Sequence, residues 1–238
     1  DKDEALVNTL NEKKSFKVSF FGGVREDYTV SGFTASTWEK ADLSDIEIIF
    51  VSVGGMNLQD VGTKLKNLID DGKMRHIIVG ENASKPAKKL SDAIGLSNIT
   101  VSESTIFCTT IEDKNGGALD IASENYPYLQ CDAAPLGDYE LNISTVRPIN
   151  GFENFLTRKL YTYNAASCVI AYLGFAKGYT DYGEAANDGE ILALLDQNYA
   201  ATNKVLCKVM GYEENDASLI PEIQEMLDEF LAKYEDIR

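Results

Sequence analysis

The chain has 238 residues, a formal net charge of -16 at pH 7 and a pI near 4.4. Such an excess of acidic side chains repels polyanions and anionic surfaces, which excludes nucleic acid and membranes as predicted partners. The four cysteines form no C-x-x-C pair, and the single histidine cannot build a histidine-rich metal site. With no recognisable signal peptide, these features predict a cytoplasmic protein with reduced thiols.

The first half of the chain predicts strands that alternate with helices. A short helix is expected over 4–12, followed by a hairpin with strands in 15–23 and 26–37. An Ile- and Val-rich run, 45–55, ends in two glycines and predicts a strand that is buried on both faces of a parallel sheet. The elements that follow alternate in type: a helix at 57–72 that ends at Gly72, a buried strand at 75–80, a helix that opens near Ser84 with Pro86 in its first turn, and a long alternating strand at 98–112.

After about residue 150 the sequence predicts helices alone. Three segments have apolar residues at helical spacing, and glycines separate them: 150–178, 187–211 and 216–237. Strand–helix alternation followed by helices predicts an α/β fold, with a Rossmann-type parallel sheet and then an all-helical C-terminal domain. We place the Rossmann-type domain at 1–148 and the helical domain at 149–238.

One segment, RKLYTYNAASCVIAYLGFAKGY at 158–179, combines an apolar helix with three polar side chains. On a helical wheel, Ser167 and Asn164 fall at roughly 80° and 140° from Lys159, and apolar residues fill the rest, so the helix is predicted to be buried. A buried lysine is costly unless it is paired or its pKa falls, and a lysine of lowered pKa can accept a proton near neutral pH. An asparagine amide suits a developing oxyanion. Spacing alone leaves open a structural role, in which the lysine extends to solvent and the other two satisfy neighbouring groups.

The spacing of Lys159, Asn164 and Ser167 resembles the K-x-x-x-x-N-x-x-H signature of the polyol-specific long-chain dehydrogenases, the mannitol dehydrogenase family. Other stretches resemble the same family in chain order: DKDEALVNTLNEKKSFKV at 1–18, VSVGGMNLQDVGTKLKNLI at 51–69, VGENASKPAKKL at 79–90 and AYLGFAKGYTDYGEAANDGEI at 171–191. The resemblance therefore covers most of the chain. It is more specific for the family than for any one substrate.

This resemblance implies hydride transfer, without metal, between a nicotinamide cofactor and a small polyol or sugar phosphate of the mannitol 1-phosphate/fructose 6-phosphate type. The cofactor would be NAD or NADP. Lys159 would be the general base, and Asn164 and Asn82 would hold the substrate oxygen while negative charge develops on it. Ser167 and Arg158 would contact the substrate.

The resemblance also assigns the cofactor side. The loop of Val53, Gly54 and Gly55 would lie beside the nicotinamide, and Asp1 lies where the family's ribose-binding acid ends the second strand. This placement implies that the first βα unit, with its glycine-rich loop, is missing from the chain. It implies that the helical domain is incomplete as well. The oligomeric state is left open.

Two departures from the family pattern keep other functions open. Ser167 stands where the family has a histidine, and the sequence carries no G-x-G-x-x-G fingerprint. One alternative stays within the family, a hexuronate (tagaturonate or fructuronate) reductase. The other is a non-catalytic relative that binds a ligand, which both departures favour.

Two further reactive side chains are predicted to be structural. His76 begins a buried strand. Cys168 has no histidine partner that could activate its thiol, so we expect it to pack in the core rather than act as a nucleophile.

Overall fold

The computed structural model describes residues 3–21 and 25–211. The chain divides into two compact units, Asp1–Phe152 and Glu153–Arg238. Two expectations, the ribose-binding role of Asp1 and the helix at 216–237, lie outside the described residues. Within the described ranges, no helix has the length and apolar character needed to cross a membrane.

In its described residues, the first unit has three α-helices and nine short strands. The helices are α1 Glu4–Lys13, α2 Leu58–Ile69 and α3 Pro86–Ile94. The strands are β1 Ser15–Phe20, β2 Tyr28–Ser31, β3 Ile48–Val51, β4 Arg75–Gly80, β5 Ile99–Thr105, β6 Thr110–Glu112, β7 Ile121–Ser123, β8 Leu129–Asp132 and β9 Val146–Ile149. The predicted hairpin is confirmed, since β1 and β2 pair antiparallel.

A five-stranded sheet in the order β3-β4-β5-β8-β9 is the centre of the first unit. Strands β3, β4 and β5 run parallel, with α2 and α3 as their connections, which confirms the predicted α/β fold with parallel strands. Helices α2 and α3 cover one face of the sheet, and a smaller apolar cluster lies on the other face. The main core consists of Val51, Leu58, Val61, Leu65, Ile69, Ile77, Val79, Leu90, Ile94 and Val101.

Helices α2 and α3 approach each other closely because position 62 is a glycine. A Cβ atom at Gly62 would lie 2.5 Å from the Cβ of Ala93 and 3.3 Å from the carbonyl oxygen of Leu90. Any side chain at this position would therefore push the two helices apart.

The prediction that β3 is buried on both faces is wrong. In the described residues β3 lies at the edge of its sheet with β4 as its neighbour, and Phe50 is 50% exposed. Val51, one residue later, faces α2 and α3 and is buried. The apolar composition of 45–55 does not show whether one or both faces of the strand are covered, because the number of covered faces depends on which elements pack against the sheet.

The long strand predicted at 98–112 is two strands in different sheets. Strand β5 ends at Thr105, and β6 begins at Thr110 in a second sheet of order β2-β1-β7-β6. Both strands alternate in polarity, so the periodicity continues across the break. The point at which a chain leaves one sheet is set by its pairing partners, which local periodicity does not report.

The second unit contains helices in the described residues. They are α4 Phe152–Lys159, which begins at the unit boundary, a π-helical turn Leu160–Asn164, α5 Ala165–Ala176, α6 Tyr182–Ala186 and α7 Gly189–Met210. Helices α5, α6 and α7 share a core of Ala166, Ile170, Ala185, Ala186, Ile191, Leu195 and Tyr199. The helix predicted over 150–178 is thus interrupted by a wider turn. We call Leu160–Asn164 the wide turn.

The expected burial of this helix on all sides is also wrong. One side of α5 packs on α6 and α7, whereas Tyr172 and Phe175 on the other side are 76% and 83% exposed. Cys168 is exposed as well, which corrects its predicted place in the core. An apolar surface on all sides of a helix therefore did not predict which side other helices cover.

A charged cluster fixes the start of α7. The Asp188 carboxylate accepts hydrogen bonds from the backbone N–H groups of Glu190 and Ile191 at 2.9 and 3.0 Å. It also accepts from the Tyr179 hydroxyl at 2.8 Å and pairs with the Lys177 amine at 2.7 Å. The hydrogen bond to Asp188 is the main cause that raises the pKa of Lys177. Asp188 thus caps α7 and joins it to the segment that follows α5.

His76 is held in a small polar and aromatic cluster, in agreement with its predicted structural role. Its ring lies 3.7 Å from the Tyr139 ring in a stacked arrangement, and its Nδ1 lies 2.8 Å from the Thr100 hydroxyl. Burial lowers the pKa of His76, although the carboxylate of Glu47 opposes the shift. Folding therefore favours the neutral ring.

We expect His76 to make the protein less stable as the pH falls below about 6.5, the ordinary histidine value. In that range the unfolded chain binds a proton at His76 that the folded chain does not bind. The contribution of the neutral His76 ring to the free energy of unfolding is therefore complete above the unfolded pKa, and it is lost as the pH falls through the folded pKa. The single histidine gives one Cε1–H resonance, whose midpoint should lie below 6.5. A midpoint at or above 6.5 would contradict the burial argument. In His76→Gln this contribution to the pH dependence of the melting temperature should be absent.

Candidate functional site

Two loops meet at the carboxyl ends of β3 and β4. One carboxylate oxygen of Glu81, Oε1, accepts hydrogen bonds from the backbone N–H of Val53 at 2.5 Å and of Gly54 at 2.8 Å. Glu81 directly follows β4, and Val53 lies two residues after β3. The two N–H groups make this carboxylate a bridge that joins the loop predicted to lie beside the cofactor to the segment that carries Asn82.

The shape of the first loop requires glycine at two successive positions. Gly54 has a φ of +83°, which a residue with a Cβ rarely adopts. A Cβ at Gly55 would lie 2.6 Å from the Cβ of Ala83 in the neighbouring loop. The Asn57 side chain donates a 2.6 Å hydrogen bond to the carbonyl of Val53 and closes the loop. The glycines therefore permit a tight turn and a close approach of the two loops.

Asn82 lies next to Glu81 in the exposed part of the second loop. The structure thus brings Asn82 and Val53–Gly55 to neighbouring loops at one edge of the sheet. In open α/β sheets, ligands bind outside the carboxyl ends of the strands. Glu81 was missed in the sequence, although an acid placed directly after an all-apolar strand end is the feature that could have indicated it.

Glu103 is a third polar group near this edge. It lies on β5 opposite Val79, and its carboxylate accepts a hydrogen bond from the N–H of Ala87 in the first turn of α3. Burial raises the pKa of Glu103, and nearby Asp132 adds to the shift. Because α3 has no side-chain cap of its own, Glu103 supplies that cap from the neighbouring strand.

The backbone amides of the first loop are already engaged within the protein. The amides of Val53 and Gly54 already donate to Glu81, so they are not available to phosphate oxygens. The two amides therefore do not offer the free N–H groups that a pyrophosphate would need. In 3–21 and 25–211, no cluster of three or more His, Cys, Asp or Glu side chains could hold a metal ion.

In the second unit, the predicted catalytic residues lie at the ends of the wide turn. The N–H of Ala165 donates to the carbonyl of Leu160, five residues earlier, where an α-helix would use the residue four earlier. Lys159 immediately precedes the turn and is 6% exposed, which confirms its predicted burial. Asn164 ends the turn and is exposed.

Two hydroxyl groups bond to backbone carbonyls beside the wide turn. The Thr162 hydroxyl donates to the carbonyl of Arg158 at 2.7 Å, and the Ser167 hydroxyl donates to that of Tyr163 at 3.3 Å. The Ser167 proton is thus directed to the backbone, and its oxygen lone pairs are the groups that remain for a ligand. Thr162 was not singled out in the sequence.

Arg158, the predicted substrate cation, lies in the last turn of α4. It is partly buried, and its guanidinium carbon lies 5.4 Å from the centroid of the Phe155 ring. Arg158 and Lys159 are the last two residues of α4, directly before the wide turn.

Curated relatives carry a consistent name. No family model matches the chain. The mannitol-1-phosphate 5-dehydrogenase of Mycoplasmopsis pulmonis is 27% identical over 201 residues, which covers 81% of this chain and 53% of that protein. The enzyme of the same name from Thermoanaerobacter pseudethanolicus is 26% identical over 235 residues, or 87% of this chain and 59% of that protein. The chain therefore spans little more than half the length of these relatives.

Solved structures with the same fold are dehydrogenases and reductases of lower sequence identity. The probable 2-dehydropantoate 2-reductase of Bacillus subtilis has a TM-score of 0.52 at 14% identity and covers 100% of this chain and 90% of its own. The 2-dehydropantoate 2-reductase of Methylococcus capsulatus has a TM-score of 0.53 at 13% identity, with coverages of 92% and 69%. They agree with the predicted Rossmann-type α/β fold followed by helices. The resemblance indicated by the motifs is confirmed, because over most of its length this chain is similar in sequence to the mannitol-1-phosphate 5-dehydrogenases.

Proposed function

We propose that this chain belongs to a nicotinamide-dependent dehydrogenase, using NAD or NADP, that interconverts a polyol phosphate such as mannitol 1-phosphate and the corresponding keto sugar phosphate. The observation that carries the proposal is the similarity to mannitol-1-phosphate 5-dehydrogenases over more than four fifths of the chain. The loops at the carboxyl ends of β3 and β4 support it, since this is the edge of a parallel sheet where such cofactors bind.

In this proposal, Lys159 takes the proton of the substrate hydroxyl when the alcohol is oxidised. Burial disfavours the charged form of an amine, so the 6% exposure of Lys159 supports its use as a base. When bound, the nicotinamide supplies the hydride acceptor. The protein is then left with one proton to move and one developing negative charge to stabilise.

The amides of Asn82 and Asn164 are assigned to the substrate oxygen. An asparagine side chain donates through its NH₂ group without carrying a charge, which suits an oxygen that becomes partly anionic in the transition state. Arg158 is assigned to the phosphate, because a guanidinium group binds phosphate oxygens in pairs. Ser167 is assigned to a substrate hydroxyl as an acceptor, since its own proton is donated to Tyr163.

The experiment that tests the function is a cofactor titration followed by a substrate screen on the protein that carries this chain. We expect saturable quenching and shifting of NADH or NADPH fluorescence. We then expect reduction of NAD⁺ or NADP⁺ with mannitol 1-phosphate, and no reduction with unphosphorylated mannitol or with hexonates. Turnover with the sugar acids alone would favour the hexuronate reductase alternative. Cofactor binding without turnover on any of these substrates would favour a non-catalytic relative.

A further inference from the structure

Four threonines in the described helices donate their hydroxyls to the carbonyl four residues earlier, and one of them differs from the rest. Thr9, Thr63 and Thr157 make this bond in α1, α2 and α4, at 2.9, 3.0 and 2.9 Å, where the bond is accessible to solvent. Thr162 makes it at 2.7 Å inside the wide turn, where the residue is buried. A buried hydroxyl is costly without a partner, so this bond holds its surroundings more firmly than the exposed ones.

The wide turn changes the directions of the side chains around it. A π-helical turn holds about one residue more than an α-turn, and one residue corresponds to a rotation of about 100°. Side chains after the turn therefore point in directions that differ by about 100° from those they would have in an uninterrupted α-helix. Lys159 precedes the turn, while Asn164 and Ser167 end and follow it. The direction of Lys159 relative to Asn164 and Ser167 therefore depends on whether this stretch forms the wide turn or a regular α-helix.

Regular α-helix is the default for this stretch, because π-helix is rare and occurs mostly as single turns inside α-helices. In a π-turn, backbone N–H groups bond to the carbonyl five residues earlier, so the carbonyls there lose the usual four-residue spacing of their hydrogen bonds. The Thr162 hydroxyl donates to the carbonyl of Arg158 just before the turn, and the Ser167 hydroxyl donates to that of Tyr163 near its end. Hydroxyl bonds of this kind are known to bend helices.

We propose that Thr162 is a positioning residue, whose buried hydroxyl bond to the Arg158 carbonyl maintains the wide turn and so sets the directions of Lys159 and Asn164. The inference rests on the proposed function, in which these two residues act on the substrate. Thr162 itself touches backbone and takes no part in the chemistry.

The test uses Thr162→Val, which keeps the β-branched shape and removes the hydroxyl, and Thr162→Ser, which keeps the hydroxyl. Thr157→Val is the matched control, since it removes the same type of bond one turn and a half earlier in regular helix. Thr162→Val should lower kcat about 10- to 100-fold, as expected for a misplaced catalytic group, with KM for substrate changed less than threefold. Thr162→Ser should restore most of kcat, and Thr157→Val should leave it unchanged.

A second measurement does not depend on activity. With lysine labelled at Cε by ¹³C, the Lys159 resonance is assigned from its loss in Lys159→Arg. We expect Thr162→Val to shift this resonance, Thr162→Ser to leave it near the wild-type position, and Thr157→Val not to move it. If the wild-type protein has no dehydrogenase activity but the resonance behaves in this way, the proposed function fails and the positioning role stands. An unmoved resonance in Thr162→Val, or an equal shift in Thr157→Val, would overturn the positioning role.

Discussion

Replacing Lys159 by alanine is expected to reduce turnover by about 10²- to 10⁴-fold, the range that general acid–base groups contribute. The loss should appear in kcat, because in the proposed mechanism Lys159 acts on the proton as the hydride leaves. Cofactor affinity should be retained, since the loop assigned to the nicotinamide side, Val53–Gly55, belongs to the first unit. Stopped-flow measurement of NADH formation and NADH fluorescence titration separate the two effects.

The loss of a buried side chain also leaves a cavity, so a second variant is needed. Lys159→Met keeps the apolar stem and removes only the amine. It should be as inactive as Lys159→Ala, and a small amine such as methylamine should partly restore turnover in the alanine variant. Lys204→Ala, at an exposed position of α7, is the matched control and should be fully active. Turnover above one tenth of the wild-type value in Lys159→Met would remove Lys159 from the role of base.

Replacing Arg75 by methionine is expected to destabilise the first unit by about 1–3 kcal/mol, because Arg75 is buried but its partner Asp71 is partly exposed and water can solvate the carboxylate that is left. Arg75 has an exposed fraction of 0% at the start of β4. Its guanidinium group donates to both carboxylate oxygens of Asp71, at 2.6 and 2.8 Å, and to the carbonyl of Leu43 at 3.0 Å. Methionine fills a similar volume but leaves these acceptors without their donor. Thermal unfolding should show a melting temperature lower by about 3–10 °C for a unit of this size.

Lys88→Met is the matched control for Arg75→Met. Lys88 also pairs with an aspartate four residues away, Asp92, at 2.7 Å, but both side chains of that pair are exposed. Exposed pairs contribute about 0–1 kcal/mol, so this variant should unfold within a few degrees of the wild type. Equal destabilisation by the two substitutions would show that the burial of Arg75 does not determine how much its ion pair contributes to the free energy of unfolding.

The local pattern of the sequence predicted the types of most elements correctly. Helices α2 and α3 and strand β4 follow from apolar periodicity, from the glycine that follows α2 and from Pro86 at the first position of α3, each of which acts within a few residues. The burial of Lys159 followed from the same kind of argument, because a long uncharged helix must place some of its surface in a core. The predicted roles of Asn82, Asn164, Ser167 and Arg158 stay predictions, since they concern a substrate.

The tertiary structure decided what depends on partners that are distant in the chain. The edge position of β3, with Phe50 half exposed, follows from which strands pair, and pairing is not encoded in the polarity of one strand. The bridge from Glu81 to the Val53 and Gly54 amides joins residues 27 and 28 positions apart. The wide turn replaces a regular helix where a buried hydroxyl meets a backbone carbonyl. Short-range preferences thus determined the types of most elements of this protein. The hydrogen bonds and faces that shape its candidate site arise only when those elements pack together.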